Sequence, residues 1–296
     1  MGEAHVGMTP ELVLDARAQL GEGPIWDDRR QRLLFVDIMR GHVHEFDPVT
    51  KTDRTFEAGE PVGTVAPTTR GDWVLATKSG FSRLDPETGV VTRVADVEAD
   101  RLETRMNDGC VDRQGRFWAG TMGMGGLRGR GALYRLDPDG SVTRVLSDVS
   151  ISNGIDWSPD DRFMYYADTP TGRVDCLEFD AATGTIRNRH PFVAIPPDQG
   201  WPDGLVVDEA GYVWVALWEG GAVHRYGPDG VLDAIVRFPV TLTTKPAFGG
   251  PDLRDLYVTS ARIELDEDGR AQQPAAGGLF RVRVDVAGQR PRRFTG

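Results

Sequence analysis

The stretch "ISNGIDWSPDDRFMYYAD", residues 151–168, predicts a strand, a tight polar turn and a second strand. Its turn is "SPDD", in which Pro and Asp favour a reversal of the chain. An Asn-Gly pair usually occupies the tip of a hairpin, between the two strands. Here Asn153 and Gly154 stand at the opposite end, where the apolar run begins. The side-chain amide of Asn153 therefore needs an explanation other than the turn.

Similar hairpins recur along the chain. Six strand segments resemble one another: "RLLFVDI", "DWVLATK", "RFWAGTM", "FMYYADT", "YVWVALW" and "DLYVTSA". Their equivalent positions, Leu33, Val74, Trp118, Met164, Trp214 and Leu256, are separated by steps of 41, 44, 46, 50 and 42 residues. A unit of this length holds about four short strands, which is the size of a propeller blade.

These repeats predict an all-β fold. We expect residues 1–296 to form one six-bladed β-propeller domain with four-stranded blades. The first strand, "ELVLDA", and the last, "LFRVRVD", are expected to pair within one blade and so close the ring. The alternative is an ordinary β-sandwich whose hairpins resemble one another by chance.

Counting back along the repeats identifies a candidate site. Eleven residues before the six equivalent positions stand Glu22, Gly63, Asn107, Asn153, Asp203 and Lys245. If all blades fold alike, these residues open equivalent innermost strands and their side chains surround the mouth of the central channel. Turn chemistry alone accounts for Asn and Asp at such places, but poorly for Glu22 and Lys245. Asn153 is therefore predicted to be a site residue.

Three of these positions, Glu22, Asn153 and Asp203, carry oxygen ligands. The set suits one divalent metal ion: Ca²⁺, Mg²⁺ or Mn²⁺, with Zn²⁺ or Fe²⁺ as alternatives. Without a cation the two carboxylates would repel, and one would take up a proton. Three protein ligands with open positions are typical of a catalytic metal. Arg105, two residues before Asn107, is either a ligand for substrate oxygens or a surface arginine.

The composition of the chain limits the classes of partner that the protein is expected to bind. The formal net charge is −11 and the pI is about 5.0, which argues against binding nucleic acid or an anionic membrane through a broad basic surface. The N-terminus "MGEAHVGMTPELVL" lacks the regions of a secretory signal, and the two cysteines have no CxxC spacing. We expect a cytoplasmic protein, monomeric or weakly homo-oligomeric, that acts on a small molecule.

Five segments resemble a known family: "LGEGPIW", "TRMNDGCVDRQGRFWAGTM", "ISNGIDWSPD", "WPDGLVVDEAGYVWVALW" and "KPAFGGPDLRDLYVTSAR". They are similar to the signature segments of the SMP-30/gluconolactonase/regucalcin-like family, and most of all to its bacterial sugar lactonases. The resemblance implies a six-bladed propeller with one divalent metal near its axis, held by Glu22, Asn153 and Asp203. It places the substrate contacts on Arg105 and Asn107.

One position departs from that family. Some animal members carry a glutamate just after "GTM" that contacts sugar hydroxyls, and by direct count this chain has Gly125 there. The resemblance implies no sugar-hydroxyl contact at this point, while the metal ligands are unaffected.

The resemblance further implies hydrolysis of an aldonolactone (a pentono- or hexonolactone) to its aldonic acid, with Asp203 as the catalytic residue. The nucleophile is either a water activated by Asp203 or a metal-bound hydroxide, and the sequence does not choose between them. Two alternatives stay open. One is a calcium-dependent esterase or phosphotriesterase, and the other is a non-catalytic metal-binding protein.

Overall fold

A computed structural model describes residues 9–296, and within them the chain is almost entirely β. The "MGEAHVGM" segment, on which part of the secretory-signal expectation rests, lies outside the described residues. The strands form six separate four-stranded antiparallel sheets, so the prediction of a six-bladed propeller is confirmed. Within residues 9–296, no helix has the length and apolar character needed to cross a bilayer.

In each of blades 1 to 3, the four strands follow one another along the chain, from the innermost strand to the outermost. Blade 1 consists of β2 (Gly21–Asp27), β3 (Arg32–Asp37), β4 (His42–Asp47) and β5 (Thr52–Glu57). Blade 2 consists of β6 (Val62–Pro67), β7 (Trp73–Thr77), β8 (Gly80–Leu84) and β9 (Val91–Asp96). Blade 3 consists of β10 (Thr104–Val111), β11 (Phe117–Gly123), β12 (Gly131–Leu136) and β13 (Val142–Val149).

Blades 4 and 5 repeat this order, and blade 6 departs from it. Blade 4 consists of β14 (Ser152–Trp157), β15 (Phe163–Asp168), β16 (Arg173–Asp180) and β17 (Thr185–Ala194). Blade 5 consists of β18 (Trp201–Val207), β19 (Val213–Trp218), β20 (Ala222–Tyr226) and β21 (Leu232–Arg237). Blade 6 consists of β22 (Thr243–Gly249), β23 (Asp255–Ser260), β24 (Leu279–Arg283) and β1 (Glu11–Leu14).

The few helical turns lie in loops between strands. The α-helix α1 spans Glu267–Gln272, and single 3₁₀ turns span Met124–Gly126, Thr169–Thr171 and Pro197–Gln199.

The ring closes in two places. β1 pairs antiparallel with β24, so the predicted pairing of "ELVLDA" with "LFRVRVD" is confirmed. Each innermost strand also packs against the innermost strand of the next blade, including β22 against β2. Innermost strands are more deeply buried than outermost ones: every residue of the innermost strand β6 is buried, whereas the outermost strand β5 has a single buried residue. Aromatic side chains fill the space between blades, as where Trp118 meets Trp157 with ring centroids 5.8 Å apart.

The six counted positions coincide with an irregularity of the innermost strands. In each of these strands the pairing register shifts at the counted residue, as between Glu22 and Ile25 and between Ser152 and Ile155. A β-bulge of this kind bends the strand and re-aims a side chain. The counted positions are not in identical register. Trp26 pairs with Leu33 and Trp157 with Met164, seven positions apart, whereas the corresponding pairs in the other four blades are eight positions apart. We call the face where the innermost strands begin the upper face.

Aspartates at the lower ends of the innermost strands support turns. The carboxylate of Asp208 accepts from the backbone N–H groups of Ala210 and Tyr212 at 3.0 and 2.9 Å, and from Trp214 Nε1 at 3.0 Å. Asp112 bonds Trp118 Nε1 in the same way, at 2.9 Å. These aspartates anchor the blades, since each joins a turn to the neighbouring strand.

Residues 284–296, which we call the C-terminal segment, cross the lower face and touch all six blades. Its contacts in blades 1 to 6 are with Asp27, Thr68, Gly115, Trp157, Asp208 and Leu253. The segment closes the lower end of an axial cavity of about 80 Å³, which residues of all six innermost strands line. The C-terminal segment therefore covers the lower end of the axis.

One ion pair of the C-terminal segment is expected to matter for stability. Arg292 Nη1 donates to Asp156 Oδ1 at 2.7 Å, and both side chains are at most 10% exposed. Arg292→Ala would leave a buried carboxylate without its cation, at a cost of about 3 kcal/mol. We expect the Tm to fall by about 5 °C. Thermal unfolding beside Arg290→Ala, which removes an exposed arginine of the same segment, checks this. Equal Tm values for the two variants would contradict it.

Candidate metal and substrate site

The counted residues form a continuous ring at the upper end of the axis. A Cβ on Gly154 would lie 2.7 Å from the backbone oxygen of Asp203, and a Cβ on Gly204 would lie 2.4 Å from Lys245 Cβ. Thr244 Oγ1 closes the ring by donating to the backbone oxygen of Gly21 at 2.6 Å. Neighbouring innermost strands thus approach so closely that only glycine fits beside the site residues. The counted positions of neighbouring blades are therefore adjacent around the axis.

Glu22 and Asp203 are buried carboxylates that influence each other. Their exposed fractions are 4% and 5%. Burial, followed by the negative charge of Asp108, raises the pKa of Glu22 to about 8. Burial and then the charge of Glu22 raise the pKa of Asp203 well above its usual value. Two carboxylates that resist ionisation at close range are the groups that a bound cation would stabilise.

The amide of Asn153 is oriented by a chain of hydrogen bonds. Thr169 Oγ1 donates to the backbone oxygen of Pro202 at 2.8 Å, so its lone pair accepts from Asn153 Nδ2, also at 2.8 Å. Because Thr169 Oγ1 must accept here, the amide atom bonded to it is the nitrogen Nδ2, and the other amide atom is the oxygen Oδ1. Asn153 Oδ1 is left buried with no hydrogen-bond partner within residues 9–296. A buried carbonyl oxygen without a donor is a free ligand position.

These three residues fit a divalent cation. Glu22, Asn153 and Asp203 provide two carboxylates and one orphaned amide oxygen, all of them hard donors that Ca²⁺, Mg²⁺ and Mn²⁺ prefer. No three His, Cys, Asp or Glu side chains converge on one point within residues 9–296, so a third carboxylate does not complete the set. A cation held by these three protein ligands would keep further coordination positions open.

Arg105 and Asn107 lie beside this set and are held to each other. Arg105 Nη1 donates to Asn107 Oδ1 at 2.7 Å and to the backbone oxygen of Met106 at 2.9 Å. Asn107 Nδ2 donates to the backbone oxygen of Ser152 at 2.9 Å. Burial lowers the pKa of Arg105 to about 10, against the opposing charges of Glu22 and Asp203, so the guanidinium stays charged at neutral pH. Within residues 9–296, its Nε and Nη2 donate to no acceptor, and they can bind substrate oxygens.

The sequence did not predict how Lys245 and Asp108 are used. Lys245 Nζ donates to Asp108 Oδ1 in a short ion pair and to the backbone oxygen of Gly109 at 3.0 Å. Counting identified Lys245 as a ring residue, but its partner lies 137 positions away in another blade. The sequence also did not predict that Thr169 accepts a hydrogen bond from Asn153. Thr169 follows β15, and this contact depends on the bulge in β14 at Asn153.

Gly125, which the direct count after "GTM" identified, lies in the 3₁₀ turn after β11. Its φ of +64° is in the left-handed region, and a Cβ there would meet no atom within 4 Å. The upper-face loop therefore contributes no side chain to the site at this position.

Fold and site together define a class of protein: six-bladed β-propellers with an oxygen-ligand site at one end of the axis. The family described as the SMP-30/gluconolactonase/LRE-like region matches residues 20–262. The chain belongs to this family.

Three similar proteins illustrate the family. Regucalcin from Xenopus laevis is 40% identical over 293 residues, covering 97% of this chain and 98% of the relative. A Bacillus subtilis protein with the name "Putative sugar lactone lactonase YvrE" is 35% identical over 290 residues, covering 98% of this chain and 99% of the relative. The crystal structure of a calcium-binding regucalcin from Agrobacterium tumefaciens matches with a TM-score of 0.94 at 32% identity, covering 98% of each chain.

Proposed function

We propose that this protein is a metal-dependent sugar lactonase, which hydrolyses an aldonolactone to the corresponding aldonic acid. The observation that carries the proposal is the position of Glu22, Asn153 and Asp203 at the starts of innermost strands, with Arg105 and Asn107 beside them. Family membership and the similarity to a relative named as a sugar lactone lactonase support it.

Asp203 is proposed to carry the proton transfers. The chemistry that a divalent cation supplies at this site is Lewis acidity, which stabilises negative charge on a lactone carbonyl oxygen. Asp203 would help to hold that cation, and its carboxylate would take a proton from the water that attacks the carbonyl carbon. When the ring C–O bond breaks, the same carboxyl group returns the proton to the leaving ring oxygen. The products are a hydroxyl group and a carboxylic acid, so the atoms balance.

Arg105 and Asn107 are proposed to hold the sugar. The free Nε and Nη2 of Arg105 bind hydroxyl or ring oxygens, and its bond to Asn107 keeps the guanidinium plane fixed. Since Asn107 is also tied to the backbone of Ser152, both groups are positioned before the substrate arrives. Lactone rings already open slowly in water, so the acceleration required from positioning and charge is modest.

A substrate panel tests the proposal. Pentono- and hexonolactones, aryl esters and phosphotriesters are assayed side by side with Ca²⁺, Mg²⁺, Mn²⁺, Zn²⁺ and Fe²⁺, and acid release is corrected for spontaneous opening. We expect turnover of at least one sugar lactone that chelation abolishes and metal restores. Preference for aryl esters or phosphotriesters would favour the esterase alternative. Tight calcium binding without any turnover would favour a binding protein, the description that the Agrobacterium regucalcin carries.

A further inference from the structure

The Lys245–Asp108 ion pair is deeply buried next to the site, and the proposed reaction does not use it. Lys245 is 5% exposed and Asp108 is 2% exposed. Asp108 Oδ1 accepts from Lys245 Nζ and, at 2.7 Å, from the backbone N–H of Gly109. Asp108 Oδ2 is buried and has no hydrogen-bond partner within residues 9–296. Removing two charged groups from water costs free energy, so a buried pair of this kind needs an explanation other than stability.

Asp108 is a third carboxylate beside the two proposed metal ligands. Its charge is one of the causes that raise the pKa of both Glu22 and Asp203, so it lies within their electrostatic reach. Nevertheless the three carboxylates do not converge on one point. Asp108 is therefore close to the ligand set without belonging to it, and its free Oδ2 is an oxygen with ligand chemistry.

Lys245 is placed to keep Asp108 apart from the proposed ligands Glu22 and Asp203. The Cα, Cβ and Cγ atoms of Lys245 pack against Gly204, directly after Asp203, while the end of its side chain crosses the axis to blade 3. Burial, the largest single influence, would lower the pKa of Lys245. The charge of Asp108 and the hydrogen bond to it, together with Cys110 and Glu22, outweigh burial, so the pKa is raised and the ammonium persists. The ammonium compensates one carboxylate, which leaves the charges of Glu22 and Asp203 to match one divalent cation.

We propose that Lys245 is a positioning residue that holds Asp108 out of the coordination sphere of the cation. The cation then has three protein ligands, and its remaining positions stay open for water and substrate. This inference rests on the metal site of the proposed function. It goes beyond that function by assigning a role to two residues outside the ligand set, namely limiting the number of protein ligands.

The test counts the waters on a bound ion. Tb³⁺ serves as a luminescent probe of the calcium type, and its lifetimes in H₂O and D₂O give the number of coordinated waters. In Lys245→Met we expect Asp108 to join the ion, which removes one bound water and tightens Tb³⁺ binding by at least about tenfold. The double variant Asp108→Asn/Lys245→Met has the same net charge as the wild type and is expected to return to its water number.

The double variant separates ligand capture from simple charge. Removing an ammonium attracts a cation in any case, so tighter binding alone does not support the proposal. An unchanged water number in Lys245→Met would overturn it. If that variant does not fold, Lys245→Gln, which keeps a donor without the charge, replaces it. Failure of the wild type to bind Tb³⁺ would overturn the metal site and this inference together, whereas an unchanged count would overturn this inference alone.

Discussion

Asp203→Asn is expected to lower kcat/KM for the best lactone by about 10³-fold, the range of a lost general base. The amide keeps the size of the carboxylate but cannot take a proton, and it removes one negative charge from the proposed ligand set. Metal content is expected to fall as well, because a neutral oxygen binds a divalent cation less tightly. Both quantities are measured on the same purified variant, by acid release and by elemental analysis.

A nearby carboxylate serves as the control for Asp203. Asp198 lies five residues earlier, exposed in the 3₁₀ turn Pro197–Gln199 that precedes β18. Asp198→Asn should retain wild-type activity and metal content. Full lactonase activity in a folded, metal-depleted Asp203→Asn protein would contradict both the metal site and the role of Asp203.

Arg105→Ala is expected to lower kcat/KM by about 100-fold, mainly through a higher KM, while the metal is retained. Charged hydrogen bonds contribute about 1.5–3 kcal/mol each, and the free Nε and Nη2 of Arg105 can form more than one. Arg105→Lys restores the charge without the planar pair of donors, so it should recover only part of the loss. Initial rates over a range of lactone concentrations separate KM from kcat.

Metal content decides how the Arg105 result is understood. Arg128, exposed on the loop after β11, provides a matched control, since Arg128→Ala removes an upper-face arginine outside the site. If Arg105→Ala loses its metal, the residue supports the ligand set electrostatically and does not bind the sugar. If KM stays unchanged, the proposed contact with substrate is wrong.

Most of the architecture could be predicted because it repeats. Blades of similar length place similar hairpins at regular steps, so counting eleven residues back from the aromatic strands reached a bulge in every innermost strand. The pairing of β1 with β24 followed from the need to close a ring. The resemblance to a family then assigned Glu22, Asn153 and Asp203 to a metal, and those assignments remain proposals.

What the sequence did not predict are contacts between distant segments that no repeat specifies. Arg292 and Asp156 are 136 positions apart, and nothing in "GQRPRRFTG" indicates which blades it will touch. Lys245 could be placed in the ring, but the reach of a long side chain across the axis to Asp108 depends on the width of the channel. Thr169 orients Asn153 through one hydrogen bond that depends on the local bend of β14.

The central claim is that Glu22, Asn153 and Asp203 share one cation at the upper end of the axis. Crystals grown with Mn²⁺ test it directly, because the metal gives an anomalous signal that locates it independently of the protein atoms. We predict one strong peak at about 2.0–2.6 Å from an oxygen of each of the three side chains. A peak held by other residues, or three side chains too far apart to reach one ion, would contradict the account.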